Sequence, residues 1–534
     1  METKKYQAFW QGAIILTLAS LIMKVLSAFY RIPYQNIAGD IGFYIYQQVY
    51  PVYGICLVLA TYGFPVVISK LVASRLEKGN EQEANGIIFI SFWFLMMIGS
   101  GLFFVFFFGS HAIAVFMGDE KLDKLLKVVS FSFLLMPFLS VARGYFQGFG
   151  NMTPTAVSQV IEQTIRVAVI VLLSLLLVAA GFDSYTVGAG AMSGSVVGGA
   201  ISVMILLYFL RNKIKEIFAQ TWSAIPDKSL IIKLVFWQGI MICVSNLVLI
   251  LIQLVDSISL YSLLVATGET GTKAKIIKGV YDRGIPLIQL GTVAATSFAL
   301  PLVPLISGAR VRGDYVFIQK KIQFAMKLTL VIGLAATGGL VCIIRPVNIM
   351  LFQNSDGSDL LAVLAISIIF SAFSITTSTV LQGLGNTTLP AFFVLIGAIV
   401  KYIGNRILIP DIGALGAAAA TVLALFCIAF LNIAALRRKM HQPLFNWRNI
   451  GNVIFSCIGM ILCVTIYTYL FEHLLTGVHS GHRGAASLEA LTAAASGGVM
   501  YIFLIFKLQI FTEEEIGIVW KGGKVPLLPR SNRP

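Results

Sequence analysis

The chain has 534 residues, 57% of them hydrophobic and only 12% charged, with a formal net charge of +15. Soluble domains carry roughly 25% charged residues, so this composition excludes a soluble globular protein and points to an integral membrane protein. Apolar runs such as Ile87 to Phe108 are long enough to cross a hydrocarbon core of about 30 Å as helices, and the ten-residue alternation of a membrane barrel is missing.

Taken in chain order, Lys4 and Lys5 precede an apolar run ending near Ala28. No small-residue cleavage site follows, and similar spans continue, so this run reads as a first helix rather than a signal peptide. About fourteen spans follow the hydropathy, starting near positions 9, 49, 87, 125, 156, 186, 231, 284, 323, 360, 390, 412, 450 and 486. The predicted fold class is therefore an all-α polytopic membrane protein. The six cysteines fall inside apolar spans without paired metal spacing and read as free thiols.

Loops on one side carry Lys70, Arg75 and Lys78; Arg211, Lys213 and Lys215; Arg310, Arg312, Lys320 and Lys321; Arg437, Arg438 and Lys439. The opposite loops hold fewer cations, chiefly around Lys121 to Lys127 and Lys273 to Lys278. The positive-inside rule then places both termini in the cytoplasm. Cations spread over short loops do not make the folded basic face of a nucleic-acid binder.

Two distant turns read almost alike. Phe146-Gln147-Gly148-Phe149-Gly150-Asn151-Met152-Thr153 and Leu381-Gln382-Gly383-Leu384-Gly385-Asn386-Thr387-Thr388 lie 382 minus 147, or 235, residues apart. Phe9-Trp10-Gln11-Gly12 and Phe236-Trp237-Gln238-Gly239 repeat at a shift of 236 minus 9, or 227. Glycine- and alanine-rich segments at 187–200 and 412–420 complete the pattern and suit close helix approach. Equal parity implies a parallel repeat about an axis along the membrane normal. The expected organisation is an N-terminal six-helix lobe at 1–222, a C-terminal six-helix lobe at 223–444, helices thirteen and fourteen at 445–510, and a cytoplasmic tail at 511–534. Two packed bundles that rock against each other expose one central cavity alternately to each side. Gly148, Gly150, Gly383 and Gly385 are candidate hinges.

Charges inside spans cost at least about 2.5–3.5 kcal/mol on insertion scales, so they face a cavity or a partner. Here they are mostly cations: Lys24, Arg31, Arg166, Arg283 and Lys401. Arg166 and Lys401 share the 235-residue shift. These five are the candidate substrate-binding residues. The acids Glu162, Asp256 and Asp282 are candidates for coupling or gating. Glu162 and Arg166, four residues apart, are expected to pair with each other. Asp256 is expected to be protonated, to bind a cation, or to pair across the lobes, with Lys24 or Arg31 as the preferred partner. Gln253, on nearly the same helical face, would add an oxygen to an ion site. Tyr44, Tyr46, Gln47, Gln48 and Tyr50 are candidate sugar contacts, although tyrosines near an interface commonly act as belt anchors.

Several motifs carry no function. Gly268-Glu269-Thr270-Gly271-Thr272-Lys273 lacks the spacing of a phosphate loop. His473, His479 and His482 are irregularly spaced without a nearby cysteine, which reads as a solvated loop rather than a metal site. Asn151-Met152-Thr153 and Asn386-Thr387-Thr388 match a glycosylation acceptor but fall on the predicted cytoplasmic side.

Lys24 to Pro33, Gly63-Phe64-Pro65-Val66-Val67-Ile68-Ser69-Lys70, Arg143-Gly144-Tyr145-Phe146-Gln147-Gly148 and Tyr281-Asp282-Arg283 together resemble the polysaccharide-exporter and lipid-flippase branch of the MOP superfamily. The resemblance is to SpoVB-like and MurJ-like proteins of Gram-positive bacteria and covers nearly the whole chain. It implies two six-helix lobes plus two helices in a bacterial cell membrane, moving undecaprenyl-pyrophosphate-linked sugars from the inner to the outer leaflet. It also implies cavity cations on helices one, two and eight; Lys24, Arg31 and Arg283 fall on or near two of these, while helix two, Tyr50 to Val67, has no arginine.

The cationic cavity suits an anionic pyrophosphate. The expected partners are a polyprenyl-linked sugar lipid and membrane lipids, with no cofactor and no covalent chemistry, and with Na⁺ or H⁺ as candidate coupling ions. A cation-coupled multidrug exporter is the alternative, but it calls for an acidic, aromatic cavity. A lipid-modifying enzyme would need a catalytic cluster or a soluble domain that no loop is long enough to hold.

Overall fold

The computed structural model describes residues 18–220, 227–299, 302–440, 447–474 and 483–512, with a few flanking positions. The Phe9 to Gly12 motif, His479, His482 and positions 516–534 lie outside the described residues. Among the described residues there are helices and no strands, and 13 helices are long and apolar enough to cross a membrane. Large apolar side chains such as Met97, Phe108, Ile407 and Val499 are exposed on the outside of the bundle, as a lipid-facing surface requires.

Helix α1 (18–29) leads into α2 (Arg31–Val58). The run Leu18–Leu76 counts 59 residues, about 90 Å if it were one straight helix. It crosses twice instead, because Gly39 breaks α2 with φ 69° and ψ −178°, a conformation open to glycine and strained for other residues. The second crossing continues through a π-helical segment, Leu59–Gly63, into α3 (Phe64–Leu76). The next crossings are α4 (Glu81–Phe108), α6 (Asp123–Gly148), α7 (Thr153–Ala179) and α8 (Ser184–Leu210), with short α5 (Ser110–Phe116) and α9 (Ile214–Phe218) between them.

The second half repeats this plan. The seventh crossing is α10 (Lys228–Asn246) plus α11 (Val248–Ala266), bent at Leu247, and the eighth is α12 (Gly271–Asp282), α13 (Gly284–Ala299) and α14 (Leu302–Val311). Crossings nine to twelve are α15 (Tyr315–Cys342), α17 (Ser358–Gly383), α18 (Thr388–Ile412) and α19 (Ala414–Lys439), with short α16 (Ile344–Phe352) after α15. Helices α20 (Trp447–Leu474) and α21 (Arg483–Lys507) pack on each other and on α15 and α16. Grouped in this way the described helices make fourteen passes, of which the eighth, α12 to α14, is not among the 13 helices long and apolar enough to cross on their own. All six cysteines are free.

The repeat is visible atom by atom at the two glycine turns. Gly150 N–H donates to Gln147 O and Asn151 N–H to Phe146 O; Gly385 N–H donates to Gln382 O and Asn386 N–H to Leu381 O. Both glycines take the left-handed conformation, with φ 77° and 81°, which closes a helix C-terminus where a side chain would be strained. The paired helices also pack alike, α7 on α8 and α18 on α19. At Gly198 the α7 backbone comes so close that a Cβ would lie 2.7 Å from Glu162 O.

The cation-bearing loops that set the predicted orientation all fall at the glycine-turn end. The opposite end is marked by Gly39.

Candidate functional site

A cavity of about 230 Å³ lies between the halves, lined by Lys24, Thr61, Tyr62, Gln159, Glu162 and Gln163 from the first half and Asn246, Gln289, Ser378 and Thr379 from the second. The π segment of the second crossing forms part of its wall. Such a segment shifts the backbone hydrogen-bond register and is common at functional sites. Arg143 of α6 uses the carbonyl this offers. Its Nη1 donates to Ala60 O and Thr61 Oγ1, both at 3.2 Å, and its Nη2 to Glu162 Oε2 at 2.5 Å and Ser202 Oγ at 3.1 Å.

This corrects the expected Glu162 with Arg166 pair. Although Arg166 is one turn away, Glu162 takes Arg143 of the neighbouring helix as its ion partner. Arg166 lies fully buried, donating from Nη2 to Tyr30 OH at 2.9 Å and from Nη1 to Gln163 Oε1 at 3.1 Å, with its guanidinium 4.5 Å from the Tyr53 ring centroid. An arginine over an aromatic face is favoured where water is excluded, which outcompetes the local carboxylate already taken by Arg143.

Arg31, also fully buried, packs on Tyr50 at 4.5 Å and donates from Nη1 to Gln289 of the second half. Arg31 and Arg166 share the rings of Tyr30 and Tyr50. Their donors are incompletely used: Arg31 Nε and Nη2, Arg166 Nε and Gln163 Nε2 are buried without a hydrogen-bond partner. Buried donors of this kind cost stability and ask for a ligand or water to satisfy them. Among the described residues Lys24, on the cavity wall, has no ion-pair partner. The first half therefore assembles Lys24, Arg31 and Arg166 in one cationic region.

The other two cations lie elsewhere. Arg283 is at the Gly39 end, ion-paired with Asp40 and donating from Nη1 to Asn354 Oδ1 at 2.6 Å and Asn348 Oδ1 at 3.3 Å. Asp40 follows the α2 break and belongs to the first half, so this pair spans the seam. A second link joins the halves nearby, where Lys275 sits 2.8 Å from Asp119, and Asn36 Nδ2 donates to Leu351 O at 3.1 Å. Asp119 also accepts from Tyr185 OH at 2.7 Å and Tyr44 OH at 3.3 Å. The Gly39 end is thus closed by polar contacts between the halves, and at the glycine-turn end α10 packs on α3 and α4.

Lys401 is buried inside the second half, 2.7 Å from Asp256 Oδ1 and donating to Ala417 O at 2.7 Å. This overturns the preferred pairing of Asp256 with Lys24 or Arg31, because α18 brings Lys401 against α11 within the same half. Asp282 pairs with Lys278 one turn earlier on α12, at 2.9 Å. The aromatic and amide run of α2 corrects another expectation. Tyr44, Tyr46, Gln47, Gln48 and Tyr50 are all buried, neither belt anchors nor part of the cavity lining; Gln48, for example, donates to Ser257 O at 2.6 Å. The residues that sequence reasoning missed are Asp40, Asp119, Arg143, Lys275 and Lys278. Only Arg143 carried a signal, as an arginine inside a span next to the repeated turn.

The polysaccharide biosynthesis protein family model matches residues 9–309, and the lipid II flippase MurJ model matches residues 287–483. The chain is 44% identical to the uncharacterized membrane protein YabM of Bacillus subtilis over 97% of its length and 96% of that protein's. It is 24% identical to the lipid II flippase MurJ of the same organism, covering 93% of this chain and 95% of that one. Among solved structures, MurJ in an inward closed conformation superposes with a TM-score of 0.69 at 14% identity, over 93% of this chain and 99% of that chain. An inward-facing multidrug resistance MATE family transporter of the MOP superfamily gives 0.63 at 17% identity, over 80% and 98%. With its multi-pass helical fold, its repeated turns and a cavity between two halves, the chain belongs to the polysaccharide biosynthesis protein family.

Proposed function

We propose that this protein flips a polyprenyl-pyrophosphate-linked oligosaccharide from the inner to the outer leaflet by alternating access, with the glycine-turn end in the cytoplasm. The observation that carries the reading is the set of unsatisfied buried donors on Arg31 and Arg166 beside the Lys24 cavity wall. A pyrophosphate offers several charged acceptors, and guanidinium forks bind such groups through short charge-assisted hydrogen bonds. Neutral amides on the wall, Gln159, Gln163 and Gln289, suit sugar hydroxyls. The polyprenyl tail stays in lipid while the headgroup passes between lobes 1–222 and 223–444. The closed Gly39 end corresponds to an outer gate, and the predicted positive-inside orientation agrees with it.

A multidrug exporter of the same fold is the competing reading. Such a protein needs an acidic cavity for organic cations, but the cavity acid here, Glu162, is neutralised by Arg143. The deciding experiment measures binding of undecaprenyl-pyrophosphate sugar lipids, undecaprenyl alcohol and a lipophilic organic cation to the full-length protein in nanodiscs. The reading expects pyrophosphate lipids to bind and Arg31→Gln with Arg166→Gln to weaken them by at least tenfold, about 1.4 kcal/mol. Equal binding of the alcohol, or tighter binding of the organic cation, overturns it.

A further inference from the structure

We propose that Tyr30 determines which half of the protein takes an anion: it stands where the second half carries Asp256, and so leaves the Arg166 guanidinium without a carboxylate. The inference rests on the pyrophosphate reading of the central site and adds which residue sets the charge of that site.

The two halves build the same three-residue contact. In the second half, Lys401 on α18 lies 2.7 Å from Asp256 on α11, and Tyr281 on α12 donates its hydroxyl to Asp256 Oδ2 at 2.8 Å. In the first half, Arg166 on α7 donates to Tyr30 OH at 2.9 Å, and the Tyr46 hydroxyl on α2 lies 2.9 Å from that of Tyr30. Arg166 matches Lys401 and Tyr46 matches Tyr281 at the 235-residue shift of the glycine turns, as Pro51 matches Pro286. Tyr30 matches Asp256 at 256 minus 30, or 226, one residue from the shift that relates the starts of the first and seventh crossings. A neutral hydroxyl therefore fills the corner that a carboxylate fills in the other half.

The other buried charges differ between the halves as neutral units. Arg143 and Glu162 pair in the first half, and 235 residues on stand Ser378 and Gly397. Lys278 and Asp282 pair in the second half, and 235 residues back stand Phe43 and Gln47. At Tyr30 the acid is missing while its cation remains. Two further cations are added there: shifts of 226 and 227 set Arg31 against Ser257 or Ile258, and Lys24 against Ile250 or Leu251. Among the described residues Lys24, Arg31 and Arg166 have no ion-pair partner.

Aromatic rings take the place of the acid. Arg166 lies 4.5 Å from the Tyr53 ring centroid and Arg31 4.5 Å from that of Tyr50, where the second half has Ile288 and Ile285. A ring face attracts a guanidinium without neutralising it. Among the described residues, the buried cationic donors without a partner are Arg31 Nε and Nη2, Arg143 Nε and Arg166 Nε, all in the first half. Gln163 and Gln289 line the cavity and accept from Arg166 and Arg31. As neutral amides they give way to an anion without stranding a charge, whereas a carboxylate at position 30 would hold Arg166 as Asp256 holds Lys401. The first half thus keeps positive charge that the second half cancels, and a pyrophosphate accepts from both guanidiniums.

The test uses full-length protein in nanodiscs with inorganic pyrophosphate as the probe, binding being read by titration calorimetry and folding by thermal unfolding. Wild type is expected to bind. Tyr30→Asp is expected to weaken binding about tenfold or more, the worth of a hydrogen bond to a charged group, and to leave binding of uncharged undecaprenyl alcohol unchanged. Tyr30→Phe leaves Arg166 just as uncompensated and is expected to bind pyrophosphate close to wild type. Tyr30→Asp with Arg166→Lys rebuilds the ion pair around which the second half folds; it is expected to bind far more weakly than Arg166→Lys alone. Asp256→Asn with Lys401→Met removes the second-half pair as a unit and is expected to leave pyrophosphate binding intact. A wild type that does not bind pyrophosphate, an equal loss in Tyr30→Phe and Tyr30→Asp, a double variant that binds as Arg166→Lys does, or loss of binding in the second-half variant overturns the proposal. Failure to bind sugar lipids with this pyrophosphate pattern intact counts against the flippase reading alone.

Discussion

The Arg283 guanidinium grips the Asp40 carboxylate across the seam between the two halves, with Nη2 at 2.7 and 2.8 Å from its oxygens and Nε at 3.1 Å from Oδ1. The two residues are 243 positions apart, and the contact exists only because α2 breaks at Gly39 and α12 ends beside that break. Arg283 lies at the Gly39 end and is not among the residues that line the large cavity, and on this placement we propose it as a gate residue.

Removing that pair is expected to open the Gly39 end. Arg283→Ala should cost the closed state about 1.5–3 kcal/mol, the range for hydrogen bonds to charged groups. The readout is labelling of a cysteine at Asn36 by a membrane-impermeant maleimide in intact cells. Exchanging the charges, Asp40→Arg with Arg283→Asp, should restore part of the protection. A swap no better protected than either single variant would point to a role for Arg283 other than closure.

The Arg143 with Glu162 pair should behave as a stability element. Glu162→Ala leaves Arg143 buried and uncompensated, at a cost of about 3–5 kcal/mol, while Arg143→Met with Glu162→Leu should recover most of the loss. Arg143→Lys should not rescue, because a lysine cannot reach the four acceptors on three other crossings. Thermal unfolding in detergent, followed at matched lipid content, decides between these outcomes.

What the sequence made legible follows from periodicity and local chemistry. Composition and span length gave the class, and the turns around Gly150 and Gly385 gave the repeat because a left-handed C-terminal closure demands glycine at the same offset in both halves. The charged partners were not legible. Glu162 has Arg166 within helical reach, yet the choice of Arg143 depends on how α6 packs on α7. Asp256 selects Lys401 because α11 and α18 share one half, and a linear sequence carries no record of that neighbour. Asp40 and Lys275 were invisible for a related reason: near span ends, charges look solvated until two ends are brought together.

Lys24 separates function from stability. It lies on the cavity wall and, among the described residues, has no ion-pair partner, so Lys24→Gln should leave the unfolding temperature unchanged or raise it. Pyrophosphate-lipid binding should fall by about 1.5–3 kcal/mol, the worth of a charged hydrogen bond. Loss of stability together with unchanged lipid binding would make Lys24 a structural residue.

The glycine turns allow the sharpest comparison between the halves. Gly148, Gly150, Gly383 and Gly385 are proposed to let the fourth and fifth crossings of each half pivot at the cytoplasmic end. An alanine in the left-handed conformation costs about 1–2 kcal/mol, which should apply at both Gly150 and Gly385. Their surroundings differ: a Cβ at Gly150 meets open space, whereas at Gly385 it runs into the Arg310 guanidinium, which donates to Leu384 O at 2.5 Å. Gly385→Ala should therefore be the more damaging, and Arg310→Ala should bring it back to the level of Gly150→Ala. If the turns pivot, Gly150→Val with Gly385→Val should slow exchange between inward- and outward-open states, read as slower labelling of cysteines placed in the central cavity and at the Gly39 end. Labelling rates equal to wild type in that double variant would reduce both turns to helix closures with no part in the motion.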